Sequence, residues 1–148
     1  MVCSYFQQLY SDDNESSGVL TCFNEDWCLT EREKNSLTTP VSEVEVRSAL
    51  FSMNPHKSPG LDGFPASFFQ KSWDSVGQDL VAWVRQAMET GFFNAELNKT
   101  LIVLIPKIEG LEKMTQFRPI SLCSVPVKLI SQILVDRLRP LLSRMIDR

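Results

Sequence analysis

Two short motifs that combine glycine, proline and charged residues constrain the fold of this 148-residue chain more than any other feature. The first is Lys-Ser-Pro-Gly-Leu-Asp-Gly at residues 57–63. The second begins with Leu-Ile-Pro-Lys at residues 104–107 and, after a polar loop, continues with Phe-Arg-Pro-Ile-Ser-Leu at residues 117–122. Glycine and proline interrupt regular structure, so each motif fixes a turn between the elements that flank it.

Helix-capping residues and apolar periodicity predict that most of the chain is helical. Thr30 with Glu33, and Ser42 with Glu45, have the spacing of a capping box at a helix start. A buried helical face is expected after the second box, where apolar residues recur at helical spacing. These residues are Val46, Ala49, Leu50 and Met53. The longest helix is expected over about residues 75–90, with a glycine as its C-terminal cap.

Two extended segments and a final helix complete the prediction. The apolar, β-branched run at residues 100–105 is interpreted as a buried strand, and residues 118–122 as extended. Ser124 is expected to cap a helix, which Pro140 breaks or kinks because proline lacks a backbone donor. The apolar face of this helix is expected to contain Val127, Ile130, Leu134 and Leu138. Residues 1–11 predict a short amphipathic helix, and residues 11–28 a polar loop. The elements together predict an α+β fold, predominantly helical with short strands.

Charge is distributed unevenly along the chain, which bears on nucleic-acid binding. The net charge of −3 alone argues against a nucleic-acid-binding protein. Residues 1–56 hold three Lys/Arg against nine Asp/Glu, whereas residues 113–148 hold seven against two. A basic C-terminal third is typical of a surface that binds a phosphate backbone. A solvated helix surface has the same pattern, and charge alone favours that interpretation.

Cysteine and histidine placement argues against a metal site or a disulfide framework. The cysteines are Cys3, Cys22, Cys28 and Cys123, and the single histidine is His56. They contain no Cys-x-x-Cys pair, so a four-ligand zinc site is not supported. With 43% hydrophobic residues the chain can form a core without disulfides, and the cysteines are expected to be reduced, intracellular thiols. No apolar run approaches the roughly 20 residues needed to span a bilayer, and the N-terminus lacks the basic segment of a secretion signal.

The loop at residues 57–63 is a candidate phosphate-binding segment. It contains Lys57, Gly60, Asp62 and Gly63, and glycine permits close approach of backbone N–H groups to a phosphate. However, the Walker pattern G-x-x-x-x-G-K is absent, and Pro-Gly and Asp-Gly also occur in ordinary turns. Asp62 taken alone is better explained as a residue that caps the next helix or stabilises the turn.

Lys107 and Arg118 are candidate nucleic-acid contacts. Each is expected beside an extended segment, where a side chain at a strand end can project into a cleft. The phosphates of a nucleotide or a template need such cations, which neutralise and align them. On the residues alone, ordinary surface cations explain these two positions better.

In their order and separation, the motifs resemble the front end of the reverse transcriptase of LINE-type (non-LTR) retrotransposons, particularly the plant elements. The resemblance covers about residues 37–148 and is looser before them. Matching stretches also include Phe-Phe-Gln-Lys-Ser-Trp at residues 68–73 and Lys-Leu-Ile-Ser at residues 128–131. One departure is Leu61, which stands where the plant elements usually have proline.

The resemblance implies two domains and a set of partners. Residues 37–148 would form the fingers, and the start of the palm, of an RNA-directed DNA polymerase domain, whereas residues 1–36 would be a linker or extension to an upstream endonuclease. Lys107 and Arg118 would line the cleft for nucleotide and template. The implied partners are an RNA template, a nucleotide and the missing palm domain, with no membrane partner. The complete element would act inside the cell, in the nucleus.

Polymerase chemistry is not expected from this segment. Polymerases use two Mg²⁺ ions about 3.5–4 Å apart, held by carboxylates. The family's aspartate segments are expected beyond residue 148, so this segment is expected to have no catalytic residue, no bound metal and no cofactor of its own. Asp136 and Asp147 are interpreted as surface charges. Two alternatives stay open: a non-catalytic RNA- or protein-binding remnant of a decayed element, and an unrelated helical domain in which the motif series is a coincidence.

Overall fold

The computed structural model of the chain describes residues 2–11, 29–110 and 113–146. These residues form six α-helices and a two-stranded antiparallel sheet, which confirms the predicted α+β, predominantly helical fold. The helices are α1 (Val2–Tyr10), α2 (Glu31–Thr38), α3 (Glu43–Ser52), α4 (Ala66–Lys71), α5 (Trp73–Thr90) and α6 (Val125–Ile146), and the strands are β1 (Leu101–Pro106) and β2 (Phe117–Leu122). Nearly all of the polar loop expected at residues 11–28 lies outside the described residues.

The chain divides into two compact units. The hairpin unit contains α1 and residues 103–120, which include most of the β1–β2 hairpin. The helical unit contains residues 29–102 and the chain from residue 121 onward, and therefore α2 to α6. In α1, the predicted amphipathic helix is confirmed: Phe6 is buried, and its ring packs edge-on against Tyr5 at 5.1 Å between centroids.

Two helices begin at residues that the sequence marks as caps. The predicted capping box of α2 is confirmed, because Thr30 accepts from the Glu33 N–H and the Glu33 carboxylate accepts from the Thr30 N–H at 2.8 Å. Ser42 caps α3 by accepting from the Glu45 N–H at 3.2 Å. The Glu45 carboxylate binds Arg137 most strongly, and a backbone hydrogen bond from Ser42, the reciprocal half of this second box, also lowers its pKa. A guanidinium offers two charged donors, which a carboxylate binds more strongly than one backbone N–H.

The core of the helical unit consists of the inward faces of α3, α5 and α6, together with Val41 and with Ala66 of α4. Its α3 face contains Val46, Ala49 and Leu50 as predicted, with Met53 partly buried against it. Burial of one such aliphatic side chain stabilises the fold by about 1.5–3 kcal/mol. Gly91 ends α5 with φ 71°, which confirms the predicted C-terminal cap.

The last helix differs from the prediction in length, face and start. At 22 residues α6 is longer than the 18-residue α5. It continues through Pro140, which excludes a break there, while a kink at this proline stays a prediction. Its buried residues are Val125, Leu129 and Ile133. Of the four residues predicted to share one apolar face, Ile130 packs against the core and Val127 is half-buried, whereas Leu134 and Leu138 are exposed. Ser124 donates its hydroxyl to the Leu97 carbonyl at 3.1 Å, so this side chain bonds outside the helix that it was expected to cap.

The hairpin confirms both extended segments but not the burial that was predicted for the first. The apolar residues of β1 are largely exposed, among them Leu101, Ile102, Val103 and Ile105. An apolar run predicts a buried strand only when further layers cover the sheet. Here β1 pairs with β2 alone within the described residues, so both sheet faces keep exposed apolar side chains.

Candidate nucleic-acid interface

The loop at residues 57–63 is held in shape by turn hydrogen bonds. The Gly63 N–H donates to the Gly60 carbonyl at 3.2 Å, and Gly63 has φ 75°, a conformation that glycine adopts without steric strain. Asp62 Oδ1 accepts from the Phe64 N–H at 3.2 Å. Asp62 therefore stabilises the turn, which agrees with the simpler of its two interpretations.

Gly60 lies directly against the residues that precede α6. A Cβ at this position would be 2.5 Å from Ser124 N and 2.6 Å from the Cys123 carbonyl carbon. Both are backbone atoms, so no side-chain rearrangement can relieve the overlap. Because Cys123 directly follows the second motif, this contact gives a physical reason for both motifs to occur in one fold.

Lys128 contacts the same loop from α6. Its Nζ donates to the Ser58 carbonyl at 2.9 Å across 70 positions of sequence. Lys57 and Lys128 also line one cleft of about 300 Å³ in the helical unit, hereafter the Lys57–Lys128 cleft. Its other lining residues are Met53, Cys123, Val127, Ser131, Gln132 and Val135. Sequence reasoning did not select Lys128 as a site residue, although the matching stretch at residues 128–131 was the signal that contained it.

Lys107 lies at the end of the hairpin and is exposed. Its backbone N–H donates to the Gln116 carbonyl at 2.8 Å, and its Nζ donates to the Thr115 carbonyl at 2.7 Å. The second bond holds the ammonium near the hairpin tip. It uses one of the three N–H donors that a lysine side chain has. Lys107 forms no ion pair with another described residue.

Arg118 lies on the same face of the hairpin as Lys107. The bond from the Lys107 N–H places this residue opposite Gln116, and side chains two residues apart along a strand share a face. Lys107 and Arg118 are therefore diagonal neighbours, a relation that typically separates the backbones by about 7–8 Å. Arg118 is exposed and, among the described residues, has no carboxylate partner.

The site residues predicted from the sequence thus fall into two groups. Lys57, Gly60, Asp62 and Gly63 belong to one loop of the helical unit. Lys107 and Arg118 belong to the hairpin unit. Their predicted roles in binding nucleotide or template stay predictions.

Two further cations, Arg85 and Arg137 of the helical unit, have structural roles. Arg137 binds Glu45 through two bonds of 2.7 and 2.8 Å and also donates to the Leu37 carbonyl at 2.9 Å. The hydrogen bonds from Arg137 lower the pKa of Glu45 despite its partial burial. Arg85 donates to the Val41 carbonyl at 2.8 Å. Both arginines line a second cavity of about 350 Å³, where their polar groups bind protein partners.

Neither a metal site nor a membrane span is found in the described part of the chain. Its His, Cys, Asp and Glu residues include no group of three that could hold a metal ion. None of its helices combines the length and apolar character needed to cross a bilayer.

Comparison with known proteins connects the chain to transposable elements. No protein-family model matches the sequence. The chain is 33% identical over 147 residues to the Transposon TX1 uncharacterized 149 kDa protein of Xenopus laevis, an alignment that covers 97% of this chain and 11% of that protein. It is 27% identical over 106 residues to the putative 115 kDa protein in type-1 retrotransposable element R1DM of Drosophila melanogaster, which covers 70% of this chain and 10% of that protein. The chain thus spans about a tenth of the length of these curated relatives and is homologous to proteins of transposable elements.

Proposed function

We propose that this chain is a segment of a LINE-type retrotransposon reverse transcriptase, in which it contributes fingers residues that bind template and nucleotide. The ordered motifs and the homology to transposable-element proteins support the proposal. The helical unit would hold the Lys57–Gly63 loop in place, and the hairpin would present Lys107 and Arg118 to the nucleic acid. The particular likeness to plant elements stays a prediction, as do the division at residue 36 and action in the nucleus.

The observation that carries the proposal is the shared hairpin face of Lys107 and Arg118. Two exposed cations that are diagonal neighbours can bind successive phosphates or the phosphates of one nucleotide. Val103, Ile105 and Ile120 lie on the same face by strand alternation and are exposed. Apolar side chains beside cations suit a nucleic acid, because bases and sugars contact the former while phosphates contact the latter.

The proposed role is binding and positioning, without the metal-dependent step. The family's reaction needs two Mg²⁺ ions, and Mg²⁺ requires near-octahedral oxygen ligation. The described residues do not fit that requirement, because they contain no suitable cluster of carboxylates. In a complete enzyme, other segments would therefore supply the metal ligands. The alternative of a non-catalytic RNA-binding remnant shares this binding role and differs in having no such segments.

Binding of single-stranded RNA tests the proposal. Fluorescence anisotropy with a labelled oligouridylate should show weak binding that decreases with salt, since each neutralised phosphate releases counterions. With two to four cations engaged, log K should fall by about 1.5–3 per tenfold rise in salt. Changing Lys107 and Arg118 together to Ala should weaken binding and reduce the slope by about 1.4, or about 0.7 for each phosphate that the variant no longer neutralises.

The matched control is the double substitution Arg32→Ala and Lys34→Ala in α2. Both residues are exposed, and their loss changes the net charge equally. The proposal predicts little effect from this control. No binding at low salt, or an equal loss in both double variants, would contradict the role of the hairpin.

A further inference from the structure

We propose that the Lys57–Lys128 cleft is a second RNA-binding site, which holds one nucleotide of a single strand with its phosphate at the two lysines. The choice of RNA as ligand rests on the function proposed above, but the site lies in the helical unit and uses different residues. Four parts of the helical unit bound the cleft. They are the end of α3, the start of the 57–63 loop, Cys123 and the first turns of α6.

The charge of the cleft favours an anion. Lys57 and Lys128 line it, and none of its lining residues is acidic. Neither lysine forms an ion pair with another described residue. The bond from Lys128 Nζ to the Ser58 carbonyl holds the ammonium in place without neutralising it, because a carbonyl carries no net charge. The nearest acidic group along α6 is Asp136, which accepts from the Gln132 amide at 2.9 Å.

The remaining lining suits a base and a sugar. Met53, Val127 and Val135 provide apolar surface, while Ser131 and Gln132 provide polar side chains. A volume of about 300 Å³ is at the lower end of the range of pockets for small ligands and accommodates one nucleotide. Methionine adapts its shape to an aromatic ring and makes favourable sulfur–aromatic contacts.

Comparison with the other cavity shows why the Lys57–Lys128 cleft is the better candidate. Arg85 and Arg137 line that second cavity, but the Glu45 carboxylate already neutralises Arg137. Its lining also contains the acidic residue Glu89. An anion there would compete with Glu45 for Arg137 and would be repelled by Glu89, whereas in the Lys57–Lys128 cleft it would meet two uncompensated positive charges.

Charge substitutions in the cleft test the proposal with a labelled oligouridylate as probe. Lys57→Gln leaves the bond between Lys128 and Ser58 intact and should weaken binding about threefold to tenfold, with a salt slope reduced by about 0.7. Ser131→Glu adds a carboxylate to the lining and should weaken binding by a similar factor. Ser131→Gln, of similar size to Glu but uncharged, should weaken binding less than Ser131→Glu does. Lys71→Gln is the charge-matched control for Lys57, because Lys71 is exposed on α4 outside the cleft.

The native cysteines give a second readout that needs no substitution. Cys123 lines the cleft, whereas Cys3 is exposed on α1 in the hairpin unit. Bound oligouridylate should slow alkylation of Cys123 by iodoacetamide, measured by mass spectrometry of the peptides, more than that of Cys3. Uridine monophosphate at the same phosphate concentration should protect less, because the site is proposed for a strand rather than a free nucleotide.

The outcomes separate this proposal from the function proposed above. Loss of affinity in the cleft variants together with normal binding of the Lys107/Arg118 variant supports the cleft and contradicts the hairpin. The reverse pattern overturns the proposed RNA-binding role of the cleft and supports that of the hairpin. Equal effects of Lys57→Gln and Lys71→Gln, or tighter binding of an acidic peptide than of oligouridylate, would also overturn the proposal.

Discussion

Neighbouring residues of the 57–63 loop act through different physical effects. Gly60 is required by the space available against Cys123 and Ser124. Gly63 is required by its φ of 75°, and a Cβ there would meet nothing within 4 Å. Asp62 stabilises the turn through its side chain, while Lys57 is left exposed. The motif is therefore mainly a structural device that places one lysine.

Replacing Gly60 by alanine should destabilise the helical unit strongly. The new Cβ would overlap backbone atoms of Cys123 and Ser124, and such overpacking costs about 3 kcal/mol or more when the neighbours cannot move. Gly63→Ala is the control, because it should cost only about 1–2 kcal/mol for the left-handed backbone. Urea unfolding followed by circular dichroism measures both, and a smaller loss for Gly60→Ala than for Gly63→Ala would contradict the close contact.

The pair of Glu45 and Arg137 should make stability depend on pH. Arg137 lowers the pKa of Glu45 from its ordinary value of 4.5, so this stabilisation is complete above that pH and is lost as pH falls through the lowered pKa. At pH 7, Glu45→Gln should reduce the free energy of unfolding by about 1–3 kcal/mol, because it leaves the guanidinium without its charged partner. The difference between the two proteins should shrink below pH 4.5.

The control for this pair is Glu43→Gln, since Glu43 is exposed in the same first turn of α3. It should change the unfolding free energy by about 0.3–1 kcal/mol through the helix dipole alone. A difference between unsubstituted protein and Glu45→Gln that stays constant from pH 7 to pH 3 would contradict the assigned pKa direction.

Among the secondary-structure elements, local sequence signals predicted the helix caps. They did not predict features that depend on tertiary contacts. Thr30 with Glu33 and Gly91 could be recognised because a cap depends on residues within one turn. The buried face of α6 could not, because apolar residues surround much of this helix and several faces have helical spacing. The partner of Glu45 lies 92 positions away, and the exposure of β1 depends on which elements cover it, so neither can be read locally.

The exposed apolar side of α6 should promote self-association of the isolated chain. It contains Leu134, Val135, Leu138 and Leu142, each at least 40% exposed, and a contiguous apolar patch favours burial against another molecule. Changing Leu134 and Leu138 together to Gln should reduce association in sedimentation velocity and lower dye binding, with little change in the free energy of unfolding. Val44→Gln is the control, because it removes one exposed apolar side chain from α3, outside the α6 patch. A monomeric unsubstituted chain at high concentration without dye binding would contradict this expectation.

For the whole molecule, the sequence predicted the evolutionary relationship well, but it did not predict how the site residues are arranged. The order of motifs pointed to retrotransposons, and homology to transposable-element proteins agrees with that origin. The pairing of Lys57 with Lys128 in one cleft was not predictable, because it depends on how the 57–63 loop packs against α6. The roles of Lys107 and Arg118 stay predictions, since a shared hairpin face permits phosphate binding without requiring it.

The 148-residue chain by itself should not synthesise DNA. In the proposed enzyme, other segments hold the two metal ions that the reaction needs. Primer extension on an RNA template with Mg²⁺ or Mn²⁺ measures this, with a purified reverse transcriptase as the positive control. Template-dependent incorporation of nucleotides by the purified chain would contradict this prediction.

A chimeric enzyme tests the proposed fingers role of this chain. A chimera would carry this chain in place of the matching segment of an active LINE-type reverse transcriptase, and its primer extension on RNA would be measured against nucleotide concentration. We expect the chimera to synthesise DNA. Changing both Lys107 and Arg118 to Ala should raise KM for nucleotide by up to about a hundredfold, because each charge-assisted contact is worth roughly a factor of ten. Changing Arg32 and Lys34 to Ala should leave KM unchanged. A chimera that melts cooperatively like its parent but synthesises no DNA, or whose kinetics are the same in both double variants, would contradict the proposed role.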